Sequence, residues 1–413
     1  MYDQTVTQTQ DSVSHPDPST GPRYIQGVAS PGLHGVLLWS ERLSRLSPIV
    51  IGLYLGLLTL LVAIVWATVN DSIATGAIVG IAFLFFVALD WLMLAALPWR
   101  KRSYGPVAPG LMAFTTARSI ITIIAALIPL SPLWTATLVE IGNFALTGYG
   151  LNSLWGEPFR LGVTKITLKS PKLRGAPPLR VLHLSDLHIE RMTPRETKLL
   201  KMIGELRPDV IVCTGDLINF SYIEDQRART ECRELLSKIH APLGVYAVPG
   251  TPLIDTPEVL KAVYDGLDHI TLLTNQTCSL EGYPQVEIIG VSCTHNPSLD
   301  GPQFDRLRAE ASAEKYLLLL HHSPDLMPAA AQSKIDLYLC GHTHGGQLRL
   351  PLIGALLTGS IYGKRYEMGR YQEGVTTLYI SRGIGLEGKG MPRMRFLCPP
   401  EIELFELRGA DEQ

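Results

Sequence analysis

Four long apolar stretches near the amino terminus constrain this chain more than any other feature. They cover residues 49–68, 76–97, 111–130 and 133–151. A helix needs about 20 apolar residues to span a bilayer, and lipid offers backbone groups no partners outside the segment itself. The fourth stretch is weaker because it carries Glu140 and Asn143. We therefore predict an all-α transmembrane region over residues 46–155 with about four helices, and three spans are the alternative.

Basic residues in the connections set the expected orientation of these helices. Arg42 and Arg45 precede the first stretch, residues 100–102 are all basic, and more Lys and Arg follow the fourth stretch from Arg160 onwards. The other two connections carry neither Lys nor Arg. By the positive-inside rule, four spans place the amino terminus and everything after residue 155 in the cytoplasm. We expect an integral membrane protein with a cytoplasmic carboxy-terminal domain.

Composition agrees with a membrane protein and excludes one class of partner. The 413 residues are 46% hydrophobic and 18% charged, with a mean hydropathy of +0.17. This is too apolar for an ordinary soluble chain of the same length. The net charge of −2 gives no basic domain of the kind that binds nucleic acid. We therefore expect a membrane partner and no nucleic-acid partner.

The regions on either side of the apolar stretches differ from each other. Residues 1–45 are rich in Ser, Thr, Gln, Pro and Asp, a composition that predicts a disordered tail. Residues 156–413 contain short apolar runs separated by polar helical segments. Such alternation predicts β-α-β units in a folded domain.

Chemically active side chains follow the apolar runs of this domain. The runs are VLHLSD (181–186), DVIVCTGD (209–216), YLLLLHH (316–322) and DLYLCGH (336–342). The side chains at or just after their ends are Asp186, His188, Asp216, His321, His322, His342 and His344. In α/β sheets, ligands collect outside the carboxyl ends of the strands. Carboxylate and imidazole groups at several neighbouring strand ends predict a metal site.

Four of these segments resemble the ordered blocks of a known family. SDLH, GDLI, HHSPD and GHTHGGQ are similar to the blocks of the calcineurin-like metallophosphoesterases. The closing stretch LYISRGIGLEGKGMPRMRFLCPPEIELFEL resembles the membrane-associated YkuE/YaeI-like subgroup. The resemblance covers about residues 160–408. It implies an α/β (α+β) four-layer sandwich of two mixed sheets flanked by helices, with a two-metal site at one sheet edge.

The resemblance also implies ligands for two divalent ions, which would be Mn, Fe, Zn or Mg. The expected ligands are Asp186, His188 and His344 for one ion, His322 and His342 for the other, and Asp216 as a bridge between them. His322 is preferred to His321 because of its spacing to Pro324. Two such ions activate a shared hydroxide for attack on a phosphate ester. Asp216 and His342 are therefore expected to be catalytic.

One block of the family pattern is altered in this chain. Where Gly-Asn-His is expected, the sequence has Gly250, Thr251 and Pro252. In the family, the Asn oxygen completes the second metal and the His acts as a proton donor or steadies the phosphate. Thr251 offers a neutral hydroxyl at the substrate position, whereas Pro252 has no proton to give. General acid catalysis contributes about 10²- to 10⁴-fold, so its loss leaves a slow enzyme or one whose leaving group needs no acid, and a non-catalytic module is the alternative.

Other residues could compensate for the altered block. His295 and Asp255 would reach the site if their loops turn inward, and the alternative for both is a polar surface position. We take His295 as the third catalytic candidate. Arg382 is a candidate for binding the substrate phosphate, and a structural ion pair is its alternative. A basic group that could face anionic lipid consists of Lys364, Arg365, Lys389, Arg393 and Arg395.

The favoured function is a membrane-tethered, metal-dependent phosphoesterase that uses a two-metal-activated hydroxide. Its expected substrate is a phosphodiester or pyrophosphate, including one in a lipid-linked molecule, because tethering keeps the site near the bilayer. The alternative is a catalytically impaired binding or regulatory module. Transport through the helices has only Asp90, Arg118 and Glu140 in its favour. We predict instead that Asp90 and Arg118 form an ion pair, since a lone charge in a membrane helix costs about 2.5 to 3.5 kcal/mol.

Overall fold

The computed structural model describes residues 40–410, apart from residue 391. Most of the predicted disordered tail, up to residue 39, lies outside the described residues. The end of that tail is ordered, because residues 40–44 are helical and Glu41 Oε2 lies 2.7 Å from Lys389 Nζ. The tail therefore reaches the carboxy-terminal domain before the apolar region begins.

Helices form at all four predicted apolar positions. They are α1 (Pro48–Val69), α2 (Ile73–Trp99), α3 (Val107–Ala126) and α4 (Pro132–Leu151). Ser47 and Ser72 cap α1 and α2 by accepting backbone N–H groups of the first turn, as short polar side chains do at helix starts. Among the described residues, α1, α2 and α3 are long and apolar enough to cross a membrane. The fourth crossing stays a prediction.

Helix α4 packs antiparallel along α3. A Cβ atom on Gly142 would lie 2.8 Å from Ile121, and one on Gly150 would lie 3.1 Å from the ring of Phe114. As residue numbers increase along α4, the numbers of the contacted residues decrease along α3, so the two helices run in opposite directions. The glycines allow this close approach because they have no side chain.

The predicted ion pair between Asp90 and Arg118 is confirmed. The guanidinium Nε and Nη2 lie 2.6 and 2.7 Å from the two carboxylate oxygens, and both side chains are fully buried. Arg118 also donates to the Asn143 carbonyl oxygen and to Thr147 Oγ1 on α4, at 2.8 Å each. Each guanidinium nitrogen thus has a hydrogen-bond acceptor inside the bundle. These hydrogen bonds offset the cost of burying the charge there.

The carboxy-terminal domain contains two six-stranded sheets. In chain order the strands are β1 (Gly162–Ser170), β2 (Leu179–Leu184), β3 (Val210–Cys213), β4 (Val245–Ala247), β5 (Ile270–Leu272), β6 (Gln276–Ser279), β7 (Val286–Gly290), β8 (Tyr316–Leu320), β9 (Leu337–Cys340), β10 (Arg349–Leu350), β11 (Gly354–Ala355), β12 (Gly369–Glu373), β13 (Thr376–Ile380) and β14 (Glu401–Gly409). The first sheet has the order β1-β14-β2-β3-β4-β5 and the second β12-β13-β9-β8-β7-β6, while β10 and β11 pair separately. Both large sheets mix parallel and antiparallel neighbours.

The sheets pack face to face between two layers of helices. The five helices are α5 (Pro194–Leu206), α6 (Gln226–Leu236), α7 (Pro257–Tyr264), α8 (Pro297–Glu310) and α9 (Met327–Gln332). In β8, Leu318 points into the core between the sheets, whereas Leu317 and Leu319 point towards α8 and α9. Strands buried on both faces are continuously apolar, as this one is. The predicted four-layer sandwich is confirmed.

The helical bundle rests on the loops of this domain. The rings of Tyr149 and Phe396 lie 4.6 Å apart, and the Tyr104 amide donates to Glu190 Oε2 at 2.7 Å. The basic group predicted from the sequence is dispersed by this packing. Arg393 pairs with Glu190, and Arg395 is buried and donates to backbone carbonyl groups. The prediction of one lipid-facing basic surface is therefore wrong for these two arginines, whereas Lys364 and Arg365 are exposed.

Candidate metal centre

The ends of β2 and β3 run side by side and bring two carboxylates together. The Asp186 amide donates to the Gly215 carbonyl oxygen and the His188 amide donates to the Asp216 carbonyl oxygen, both at 3.0 Å. The parallel pairing of the strands thus continues through the two turns that follow them. Both aspartates therefore lie at the same edge of the first sheet.

Backbone conformation at this edge is unusual. Positive φ angles of 41° to 68° occur at Asp186, His188, Asp216, His295, His342 and His344. A non-glycine residue in this region costs about 1 to 3 kcal/mol and persists only where the surroundings impose it. Six such residues at one place mark it as a functional site.

Two glycines of the sequence blocks are required by close approach. A Cβ atom on Gly341 would lie 2.0 Å from Asp186 Oδ2, and one on Gly250 would lie 2.2 Å from the Asp216 amide nitrogen. Gly341 precedes His342, so its small size lets the second sheet bring its histidines against the carboxylates of the first sheet. A side chain at Gly341 would separate the edges of the two sheets, and one at Gly250 would push the turn after β4 away from Asp216 within the first sheet.

The first cluster consists of Asp186, His188 and His344. The Nε2 atoms of the two histidines are 3.0 Å apart, and His344 Nε2 lies 3.3 Å from Asp186 Oδ1. On its other side, His188 Nδ1 lies 3.1 Å from Glu387 Oε2. A carboxylate behind a histidine fixes the orientation of the ring and is common around metal ligands. Sequence reasoning missed Glu387, because GLEGKG resembles an ordinary polar loop.

The second cluster consists of His295, His322 and His342. One donor atom from each lies within 4.8 Å of the others, and the rings of His295 and His342 are 4.2 Å apart. Asp216 stands between the clusters, because its Oδ2 is 3.2 Å from His322 Nε2 and 3.6 Å from His188 Nε2. His322 is held from behind, where its Nδ1 lies 2.6 Å from the Thr214 carbonyl oxygen.

His321 does not enter the second cluster. Its Nε2 lies 3.2 Å from Asp300 Oδ2, and its Nδ1 lies 2.8 Å from the Ser323 carbonyl oxygen. The structure therefore places the second histidine of the pair, and not the first, beside Asp216. This agrees with the preference for His322 that the spacing to Pro324 suggested.

The altered block lies at the second cluster. The Thr251 amide donates to Asp216 Oδ1 at 2.6 Å, and its hydroxyl oxygen lies 3.2 Å from Asp216 Oδ2 and 3.0 Å from His295 Nε2. Pro252 is exposed. The threonine hydroxyl thus occupies the space between the carboxylate and the additional histidine. Its role in substrate binding stays a prediction.

The two residues proposed as substitutes for the altered block have different roles. His295 is buried and belongs to the second cluster, so a surface position is wrong for it. Asp255 is also buried, but its Oδ2 accepts the Asp216 and Gly250 amides at 2.9 and 2.7 Å. Its carboxylate therefore fixes the two turns and does not face the clusters. Burial and the nearby Asp216 carboxylate raise the pKa of Asp255 to about 6.

Arg382 has a carboxylate partner in the structure. Its Nη2 lies 2.6 Å from Glu401 Oε2, and its side chain is 22% exposed. The structural ion pair that the sequence left open is therefore present. Contact between Arg382 and a substrate phosphate stays a prediction.

The histidines of the centre compensate the charges of its buried carboxylates. Burial opposes a charge on His322, but the Asp216 and Asp186 carboxylates prevail and raise its pKa to about 9. Burial and the charge of His322 lower the pKa of His342 to about 4, so His342 is neutral at physiological pH. The pKa of Asp216 is held well below its ordinary value by the facing histidines, which outweigh burial.

The residues fit divalent cations. Asp186 and Asp216 are buried, and their ion-pair partners are histidines of the two clusters. A buried carboxylate needs a compensating positive charge, and His342, His344 and His295 all have lowered pKa values because of burial. Neutral imidazole nitrogens and ionised carboxylates are the ligand types of Zn, Fe and Mn. The donor set therefore favours metal binding.

Comparisons with known proteins agree with this geometry. A family model described as calcineurin-like phosphoesterase matches residues 179–250, which include Asp186 and Asp216 and end at Gly250, before Thr251 and Pro252 of the altered block. The chain is 32% identical over 272 residues to the uncharacterized metallophosphoesterase YkuE of Bacillus subtilis, and the match covers 64% of this chain and 91% of that protein.

Two further relatives have names that describe an activity. The phosphodiesterase YaeI of Escherichia coli is 29% identical over 235 residues, which cover 56% of this chain and 83% of YaeI. The UDP-2,3-diacylglucosamine pyrophosphatase LpxG of Chlamydia muridarum is 26% identical over 309 residues, which cover 60% of this chain and 89% of LpxG.

Proposed function

This chain belongs to the calcineurin-like metallophosphoesterases, and on that premise we propose that it is a membrane-tethered, two-metal enzyme that hydrolyses a phosphodiester or pyrophosphate bond in a lipid-linked substrate. Membership of the family makes it a hydrolase of phosphate esters. The single observation that carries the finer proposal is the position of Asp216, whose Oδ2 is within 3.6 Å of one histidine from each cluster. A carboxylate there can face two cations at once.

The chain supplies ligands for both ions from the two clusters. The first ion would be held by Asp186, His188 and His344, the second by His295, His322 and His342, and both by Asp216. Two bound divalent ions polarise the phosphate ester and lower the pKa of a shared water. The protein contributes orientation, because Glu387 fixes His188 and the Thr214 carbonyl oxygen fixes His322.

His295 takes over a position that the altered block leaves open. Its Nε2 lies 3.0 Å from Thr251 Oγ1, and Thr251 stands where the family has its metal-binding asparagine. An imidazole that approaches from the loop after β7 can therefore complete the second ion. The proton donor that Pro252 cannot replace remains missing, which favours substrates with a good leaving group such as a pyrophosphate.

The substrate class follows from the relatives and from the bundle. YaeI is named a phosphodiesterase, and the compound named in LpxG carries two acyl chains and a pyrophosphate. Three helices of the present chain are apolar enough to cross a membrane, and the bundle lies against the domain that holds the metal centre. A phosphate ester attached to a lipid would meet this site without leaving the bilayer.

The orientation rests on a fourth crossing. Gly142 and Gly150 of α4 contact Ile121 in the last third of α3 and Phe114 in its first half, so α4 runs along a helix that is itself long enough to span. Trp134 and Phe144 of α4 are 64% and 60% exposed, as lipid-facing residues of a bundle would be. Four crossings, combined with the basic connections, support a cytoplasmic catalytic domain. Alkaline phosphatase activity of a fusion made after residue 155 would contradict this.

One experiment tests the enzyme against the impaired module. Full-length protein in detergent is loaded with Mn²⁺, its metal content is measured, and hydrolysis of bis-p-nitrophenyl phosphate is followed. We expect two ions per chain and turnover that Asp216→Ala removes, whereas the control Asp305→Ala on the exposed face of α8 retains both. Bound metal without turnover on diesters or on pyrophosphates would favour the impaired module.

A further inference from the structure

A short hairpin beside the metal centre exposes apolar side chains to the surroundings. The apolar hairpin, residues 349–357, contains β10 and β11, which pair antiparallel through Arg349–Ala355 and Leu350–Gly354. Among the described residues after residue 155, nine large hydrophobic residues are exposed, and six of them lie in residues 350–361. A contiguous exposed apolar patch on a soluble surface is uncommon and marks an interaction site.

The tip of the apolar hairpin is the most exposed part. Leu352 is fully exposed, at 108% of its reference area, and Ile353 is 57% exposed. Leu352 also has a φ angle of 67°, a conformation that leucine rarely adopts. A two-stranded hairpin has little stability of its own in water. The apolar hairpin therefore exposes the Leu352 side chain in a conformation that is unfavourable for leucine. This side chain has no partner among the described residues.

One end of the apolar hairpin is attached to the membrane bundle. Leu348, which precedes it, packs against the hydrophobic core that the bundle shares with Met394. The Arg349 amide donates to the Phe396 carbonyl oxygen at 3.0 Å, and the Phe396 ring contacts Tyr149 of α4. Four residues of extended chain span at most about 14 Å, so Leu352 lies within that distance of a residue that touches the bundle.

The other end of the apolar hairpin leads to the metal centre. The Leu357 carbonyl oxygen lies 2.7 Å from the position of a Cβ atom on Gly346, just after His344. Two residues further on, the Gly359 carbonyl oxygen lies 3.1 Å from His342 Nε2. The exposed apolar segment thus connects the end of the bundle with a ligand of the second cluster.

Two exposed cations accompany the apolar tip. Lys364 Nζ donates to the Ile353 carbonyl oxygen at 2.8 Å, and Arg365 is exposed beside Glu373. With Leu350 and Leu352 they line an open groove of about 590 Å³. Apolar side chains next to Lys and Arg are the pattern of segments that lie in the headgroup region of an anionic membrane.

We propose that the apolar hairpin inserts into the lipid interface of the membrane that the bundle spans, so that the metal centre opens onto the bilayer surface. Leu350, Leu352 and Ile353 enter the acyl boundary, and Lys364 with Arg365 contacts lipid phosphates. Continuity with the bundle selects lipid over a protein partner, because the segment begins at the bundle end where the interface must lie. The consequence for a lipid-linked substrate rests on the proposed function, but insertion itself does not.

Insertion is measured on full-length protein in nanodiscs of phosphatidylcholine and phosphatidylglycerol. Cys278 is the one half-exposed cysteine and the other five are buried, so a nitroxide label is placed by Leu352→Cys in a Cys278→Ser background. Its accessibility to oxygen and to a soluble nickel chelate gives its depth. The control label is Glu314→Cys, which lies before β8 at the opposite end of the strand from His322.

We expect the label at residue 352 to lie about 5 to 10 Å below the phosphates and the label at residue 314 to lie in water. Equal exposure of both labels to the nickel chelate would overturn insertion. Because this measurement needs no activity, it decides insertion even if the protein hydrolyses nothing.

The catalytic consequence is tested with two substrates of the same leaving group. Leu352→Asp should slow hydrolysis of a dioleoylglycerol p-nitrophenyl phosphodiester in nanodiscs about tenfold. The reason is that the substitution removes a leucine side chain from the apolar phase of the membrane. It should leave bis-p-nitrophenyl phosphate unaffected. Val375→Asp, at the exposed turn between β12 and β13 and at the end of these strands away from His342, should change neither rate. If Leu352→Asp lowered the rate equally on both substrates, or did not lower the rate on the lipid substrate, the role of the apolar hairpin in substrate access would be overturned.

Discussion

The two clusters of the metal centre are built differently. The first cluster takes all its members from the family blocks and has Glu387 behind His188. The second cluster has two members from the blocks and a third, His295, from a loop outside them, next to a threonine that replaces the usual asparagine. The difference teaches that one position of a metal centre can be filled from another strand end that reaches the same sheet edge.

Strand order explains how His295 reaches the second cluster. It follows β7, which pairs in parallel with β8 through Gly290 and Leu320, and His322 follows β8. The loop after β7 is tied down by Asp300, which accepts the Thr294 amide at 3.0 Å and lies 3.2 Å from His321 Nε2. The histidine that stays outside the centre therefore helps to position the loop that supplies a new member.

The largest expected effect comes from breaking the first cluster. Asp186→Asn removes a carboxylate whose two oxygens also accept the His342 amide. We expect one ion fewer per chain and at least about a 10³-fold loss of diesterase turnover, since the proposed reaction uses both metals. Metal analysis and initial rates measure this. Full occupancy together with full activity in this variant would show that the first cluster is not part of the centre.

Breaking the second cluster should have a smaller effect. His295→Ala should weaken the second ion about 10- to 100-fold, which is the range for altered metal surroundings, and leave the first ion bound. Titration of metal-free protein with Mn²⁺ measures both affinities. His240→Ala, an exposed histidine at the end of α6, is the matched control and should bind as the unmodified protein does.

Restoring the family block sharpens the same comparison. Thr251→Asn with Pro252→His should give little gain while His295 occupies the space, because Thr251 Oγ1 is already 3.0 Å from its Nε2. In the His295→Ala background, the same two substitutions should restore the affinity for the second ion. They should also raise the rate of hydrolysis about tenfold, because the new histidine can act as a general acid. A clear gain with His295 present would argue against a ligand role for His295.

The carboxylate behind the first cluster should matter less for turnover than its neighbours do. Glu387→Gln keeps the size of the side chain but removes the charge facing His188 Nδ1, at 3.1 Å. Burial opposes ionisation of Glu387, but His188 prevails and lowers its pKa to about 2. We expect about a tenfold weaker first ion, measured by competition with a chelator. If Glu387→Gln weakened the second ion instead, the division into two clusters would fail.

The smallest expected effect per step is the pH dependence of metal binding, measured in the unmodified protein over single pH units. The pKa of His322 is raised to about 9 in the metal-free site, so its proton must leave when an ion binds. Affinity should rise about tenfold per pH unit up to about pH 9 and then level off. The charge on His322 stabilises the metal-free fold below pH 6.5, and this stabilisation is lost as the pH rises through about 9. Calorimetry in buffers of different ionisation enthalpy would reveal the proton, and its absence at pH 7 would contradict the raised pKa.

Local patterns in the sequence determined the helices and most of the centre. Apolar runs of about 20 residues located α1 to α4, and side chains just after short apolar runs located Asp186, Asp216 and His342, because the carboxyl ends of parallel strands meet at one edge. The cost of a lone charge in a membrane helix was enough to predict the contact between Asp90 and Arg118.

Tertiary structure alone decided which loop residues join the centre. No local pattern distinguishes His295, which enters the second cluster, from Asp255, which turns away to accept three backbone amides, or reveals Glu387 behind His188. The basic residues near the carboxy terminus were likewise separated into buried and exposed ones by packing against the bundle. The physical reason is that strand ends are fixed by short-range periodicity, whereas the direction of a loop side chain is fixed by hydrogen bonds to residues far away in sequence, such as the bond from the Thr251 amide to Asp216.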